Sequence, residues 1–350
     1  MPDRAAVIAA LTAYTEKPAT SRDIRAEPGD VFGRPPITTL MQFAQSLDAR
    51  AELNALLADV APLIRAADPF RGSAVALNCG TLVEMGGNPD LVFPHLLGEL
   101  PRHLALARRA RGRKGTAPGT LFDEDPDAAK AAAGLRYLLL ATMTVICRKA
   151  EFRQALRANP EIATGVEALR EGSAEADFVA QVLGYTDGLE LLVLVPNEGK
   201  GFRVALDAVA TCAHLFTLLQ AALIDGGHLE GDPTDPAVIA TATGATAPTR
   251  AVHDHARFHF HTWDGLSPDG TLAGMNLSSW IGVEASPADI PPFDGVPVLL
   301  VGPTVVGSRS WDSNFFANIH DALRSRAEVV EVLPAAKVEE WIERIRTARE

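Results

Sequence analysis

The stretch "LELLVLVPNEGKGFRVALDAVA", Leu189–Ala210, divides the chain into two kinds of sequence. Its first part is a continuous apolar run. Its last part alternates Phe202, Val204, Leu206 and Ala208 with Arg203, Ala205 and Asp207. Successive side chains on a strand point to opposite faces, so both runs read as strands, and the Gly-containing turn between them closes a β-hairpin. Helical periodicity gives way to strand periodicity near residue 187. Two domains are therefore expected, 1–186 and 187–350.

Upstream, the sequence reads as helices. Leu53, Leu56, Leu57, Val60, Leu63 and Ile64 fall on one helical face, with Pro62 resetting the helix. "AVALNCGTLVEM" (74–85) is closed by Gly86 and Gly87. The segment 88–110 repeats the theme with Phe93, Leu96, Leu97, Leu100 and Leu104. Short amphipathic helices joined by Gly, Pro and Asp turns predict an all-α half of HEAT-like helical pairs, without a clean repeat period. "RGRKGTAPGTLFDEDPD" (111–127) reads as a loop whose basic and acidic ends can dock on one another or on a partner. Beyond it, "LRYLLLATMTVIC" is apolar nearly all round and predicts a buried helix, and a further helix is expected over about 160–184.

Downstream, the apolar run 208–224 predicts a core helix. Its His214, Gln220 and two threonines are too costly for a membrane span. After a loop at about 225–251, three strands are expected at 257–263, 296–302 and 328–334, with helices at 312–325 and at the C-terminus. The second half is thus expected to be α/β or α+β with about five strands.

The formal charge of −12, from 32 basic and 44 acidic residues, argues against nucleic acid and anionic membranes as general partners. The cysteines, Cys79, Cys147 and Cys212, form no C-x-x-C pair. With no secretory signal recognisable at the start, a reducing, cytoplasmic location is expected.

Two constellations stand out. "HDHARFHFHTW" (253–263) holds four of the nine histidines. On one extended strand His253, His255, Arg257, His259 and His261 share a face, and Ala256, Phe258 and Phe260 turn inward. Such a row can be an ordinary polar face. It can also hold a transition metal (zinc, iron or copper) through His255, His259 and His261, with His253 as a fourth candidate and a position left open for water. Arg257 repels a cation and suits an anion instead. The second constellation is "VPVLLVGPTVVGSRSWDSNF" (296–315). Gly302 and Gly307 have the spacing of a phosphate-binding loop, but Ser308 stands where a lysine belongs. What remains is an anion site of Ser308, Arg309 and Ser310, backed by a helix cap at Asp312 or Ser313 and facing Arg257. Neither G-x-S-x-G, G-x-G-x-x-G nor H-E-x-x-H occurs.

Three functions follow. The leading one is a binding or accessory protein whose helical half meets another protein. The second is a metal-dependent enzyme. The third is a C-terminal domain that binds an anionic small molecule.

Overall fold

The computed structural model describes residues 3–66, 68–113, 118–246, 252–272, 277–305, 307–311 and 322–349. Its contacts divide the chain into two units, Met1–Leu183 and Gly184–Glu350.

The first unit is helical: α1 Arg4–Glu16, α2 Pro28–Phe32, α3 Ile37–Gln45, α4 Arg50–Val60, α5 Pro69–Glu84, α6 Phe93–Arg111, α7 Pro118–Glu124, α8 Pro126–Ile146, α9 Ala150–Ala158, α10 Pro160–Leu169 and α11 Ala174–Leu183. At Pro62 the α4 helix tightens into a 3-10 segment, Ala61–Arg65, as a mid-helix proline requires. A Cβ on Gly134 would meet Ser73 Oγ at 2.8 Å, and one on Gly80 would meet Ala141 Cα at 3.2 Å. These contact points advance together along α5 and α8, so the two helices run parallel and approach closely through small residues. Gly165 of α10 likewise packs on Leu104 of α6. Most of α8 is buried, among α5, α6, α7 and α11. Among the described residues it alone is long and apolar enough to cross a membrane, and its burial makes it the core helix of this unit.

The expected loop 111–127 needs correcting, because Pro118–Glu124 forms α7. Arg109 pairs with Asp125 at 2.6 Å and Arg113 with Glu124 at 3.0 Å. Asp125 also accepts the Ala128 N–H and so caps α8. The basic and acidic ends do dock on one another, and α7 is folded back between them. The helix expected over 160–184 is two, α10 and α11, parted by a 3-10 turn at Arg170–Gly172.

The second unit contains β1 Leu189–Val195, β2 Lys200–Asp207, α12 Cys212–Ile224, α13 Pro236–Ala242, β3 Val252–Asp254, β4 Phe258–Thr262, β5 Pro292–Phe293, β6 Val296–Pro303, β7 Arg309–Trp311, β8 Arg326–Val332 and α14 Ala335–Thr347. The hairpin forms in the register Val195↔Lys200, with Gly199 at φ +60° making the turn. The main sheet is mixed, in the order β4-β6-β1-β2-β8, with β5 on β6, and β3 pairs with β7 in a separate ribbon. One face of the sheet packs on α12 through Leu191, Val193, Phe202 and Val204. The other packs on α14 through Leu192, Leu194, Val298 and Leu300. Sheet burial on both faces explains the unbroken apolar runs of β1 and β6. The chain is therefore an α+β protein. The loop expected at 225–251 contains α13, N-capped by Asp235, and its end, 247–251, lies outside the described residues. Most of the helix expected at 312–325, residues 312–321, also lies outside them.

Candidate functional site

The histidine row is not one strand. Its first part, β3, pairs with β7, and its second part, β4, pairs with β6. Gln220 of α12 causes the break. Its Oε1 accepts the Arg257 backbone N–H at 2.8 Å, and its Nε2 donates to the His255 carbonyl at 2.9 Å. Backbone groups that would continue a ladder are thus claimed by a buried side chain. His253 and His255 are exposed on one side of the break, and His259 is half-buried on the other. His261 is fully buried, with its Nδ1 3.0 Å from Ser279 Oγ. Among the described residues no three His, Cys, Asp or Glu side chains gather as metal ligands. The expected site of His255, His259 and His261, with His253 beside it, is corrected accordingly. Of the two histidines on β4, His261 stands in packed surroundings and His259 is half-buried.

The structure does bring part of the second constellation to the second part of the first. Ser308, Arg309 and Ser310 line a cleft of ≈ 330 Å³ together with His259, Phe216, Phe258, Phe260 and Trp280. Phe216 and Phe260 stack at 4.3 Å between centroids, and the Arg309 guanidinium lies 5.9 and 5.6 Å from their ring centres. Trp280 meets His259 edge-on at 4.7 Å. The result is an aromatic wall beside a buried cation, a lining typical of small-molecule sites.

The cation is held from behind. The β3–β7 register places Asp254 opposite Arg309, and Asp254 Oδ2 lies 3.3 Å from Arg309 Nε. Both side chains are more than nine-tenths buried. Gln220 Oε1 accepts from Arg309 Nη2 at 2.7 Å, and the Thr217 hydroxyl donates to Asp254 at 3.1 Å. Trp311 Nε1 donates to Thr217 Oγ1 at 3.1 Å and its ring stacks on His214. His214, Thr217 and Gln220 are spaced by three along α12 and therefore share one side of it. That spacing is the signal that would have found them in the sequence. Asp254, Phe216 and Trp280 carry no comparable mark.

Arg257 does not join the lining. Its Nε donates to the Asp232 carbonyl at 3.3 Å, which departs from the expectation that it and Arg309 share one cleft. Gly302 lies inside β6, where a Cβ would strike Leu272 at 2.7 Å, so this glycine serves packing and not a phosphate loop. The caps expected at Asp312 and Ser313 lie outside the described residues.

Electrostatics in the cleft follow from burial. Burial pushes the Arg309 pKa down to about 10, with Asp254 opposing and Arg257 reinforcing that shift. Burial and the Arg309 charge lower His259 below the ordinary imidazole value. His261 falls to about 4 through burial first and His259 second. Both rings are neutral at pH 7. Trp280 Nε1 is a buried N–H with no hydrogen-bond acceptor among the described residues, whereas Arg309 Nε, without a hydrogen bond of its own, faces the Asp254 carboxylate at 3.3 Å. A buried donor left unpaired costs about 1–3 kcal/mol. No protein-family model, curated protein or solved structure matches this chain, and the cleft is read from its own geometry.

Proposed function

We propose that the C-terminal unit binds a small molecule with a ring-sized apolar body and a hydrogen-bond-accepting head. One observation carries this reading. The same cleft combines stacked aromatic rings with the buried Arg309 guanidinium and with Trp280, whose indole N–H has no acceptor among the described residues. Its ≈ 330 Å³ falls at the lower end of the usual range for ligand pockets, about 300–1,000 Å³. Among the described residues of the helical unit Met85, 40 % exposed, is the only large apolar side chain left exposed. The three thiols are buried and unpaired, and burial pushes Cys147 and Cys212 up to about 12. Such inert thiols suit a reducing, cytoplasmic setting.

Proton–nitrogen NMR of the four tryptophan indoles tests the proposal. Aromatic fragments bearing a carbonyl or carboxylate are expected to move the indole signal of Trp280, assigned through Trp280→Phe, before the other three. A Ser310→Trp variant, which fills the cleft, should abolish that shift. An unmoved Trp280 signal across the whole fragment panel would overturn the reading.

A further inference from the structure

We infer that the ligand of this cleft is peptidic: one extended residue with an aromatic side chain, paired to the outer edge of β4. The inference rests on the cleft being a binding site and adds the chemical class that fills it. β4 is the last strand of the main sheet, beyond β6, so no further strand of that sheet covers its outer edge. In an antiparallel ladder the N–H and C=O of one residue point to the same edge, and successive residues alternate edges. The Phe260 carbonyl accepts the Ile281 N–H, at 3.4 Å, from outside the sheet. Phe258 and Phe260 therefore direct both backbone groups outward, and His259 and His261 direct theirs to β6. Phe258 stands opposite Pro303, which has no N–H to give, as suits a pair without ladder bonds.

The segment that reaches Phe260 goes no further along the strand. It makes one bridge, His261↔Trp280, and is then drawn away. The carbonyls of Val283 and Ala285 accept the N–H groups of Ala213 and Cys212, at 2.9 and 2.8 Å. Those N–H groups open α12 and have no partner within their own helix. Among the described residues the Phe258 N–H, the Phe258 carbonyl and the Phe260 N–H are thus left without hydrogen bonds. Phe258 and Phe260 both line the cleft, together with Trp280, Ile281 and Val283 of the departing segment.

A residue that offers a donor and an acceptor along one edge is complementary to another extended residue, whose own N–H and C=O also point one way. A single trans amide points its two groups in opposite directions and can satisfy only one of them. A carboxylate or a phosphate has no donor for the Phe258 carbonyl. Directly opposed residues put their side chains on the same face. The ligand's side chain therefore falls on the face of Phe258 and Phe260, which packs towards Phe216 of α12, and an aromatic ring there meets the stacked Phe216–Phe260 pair.

The test uses the full chain and three probes that share one apolar body. They are N-acetyl-naphthylalanine N-methylamide, its depsipeptide analogue with an ester oxygen in place of the residue N–H, and naphthylethanol. Proton–nitrogen NMR titration should rank the peptide first, about tenfold tighter than the depsipeptide, since the analogue leaves the Phe258 carbonyl unpaired. The peptide should also move the Phe258 backbone amide signal downfield, with that signal assigned through Phe258→Leu. Equal affinity of peptide and depsipeptide, or an unmoved Phe258 amide at saturation, would overturn the inference. A Trp280 signal that still responds to naphthylethanol would in that case leave the cleft standing as a binding site. Failure of all three probes, together with an unmoved Trp280 signal, would remove the underlying reading as well.

Discussion

α8 and α12 are both core helices, yet the polar groups they bury serve different ends. On α8, Thr142 bonds back to the Leu138 carbonyl of its own helix, Thr144 donates to Glu84 of α5, and Lys130 pairs with Asp68 at 2.9 Å. The last two contacts tie helix to helix. On α12, His214 reaches the Ala242 carbonyl, Thr217 reaches Asp254, and Gln220 reaches His255, Arg257 and Arg309. Those partners lie on short strands, loops and the end of α13, and several of them shape the cleft. A core helix whose polar groups bond to irregular backbone marks where this fold builds a site. One whose polar groups bond to other helices marks where it builds rigidity.

The sharpest test of that contrast compares the two buried ion pairs. Arg309→Met and Lys130→Met each leave a carboxylate buried without its cation, and each should cost about 3–5 kcal/mol in urea unfolding. Only Arg309→Met should also abolish the Trp280 response to aromatic fragments. Loss of that response in Lys130→Met would erase the distinction between the helices.

Acid titration gives the next largest effect and reaches both units. His103 of α6, bonded to the Ala131 carbonyl of α8, and His261 are each pushed down to about 4, chiefly by burial. The unfolded chain takes up these protons near pH 6.5 and the folded chain does not. Stability is therefore lost as pH falls from about 6.5 towards 4, by roughly 3 kcal/mol for each ring, and levels off below. In unfolding measured across that range, His261→Asn should flatten the pH slope of the C-terminal unit and leave that of the helical unit unchanged.

Smaller effects separate packing from bonding. Gly134→Ala forces a Cβ against Ser73 at the α5–α8 crossing and should cost about 1–3 kcal/mol in thermal or urea unfolding. Thr217→Val keeps the shape of α12 but removes the hydroxyl between Trp311 and Asp254. A cost of about 1 kcal/mol is expected, with a measurable loss of probe affinity. If the affinity were unchanged, the network behind Arg309 would be packing alone.

Much of this was legible beforehand. The hairpin at Leu189–Asp207, the strands near 258, 296 and 328 and the helical stripes of the first half are all present, because each is written as a local period. The third function set Ser308, Arg309 and Ser310 against the strand that carries His259, and these four residues do line one cleft. The metal row failed for a long-range reason. Gln220, some thirty-five residues upstream, captures the backbone of His255 and Arg257 and turns the strand there. The segment 118–124 read as a loop because its composition is polar, yet it forms a helix flanked by the ion pairs Arg109–Asp125 and Arg113–Glu124.

Periodicity and composition by themselves determined the two kinds of unit, their elements and the apolar core, since burial of a stripe or of a sheet face depends on residues close together in the chain. Only the tertiary structure decided which polar residues meet. The partnership of Arg309 with Asp254 and Gln220, and the aromatic cleft before it, depends on a two-stranded ribbon and a core helix brought together from distant segments. No local pattern encodes that encounter.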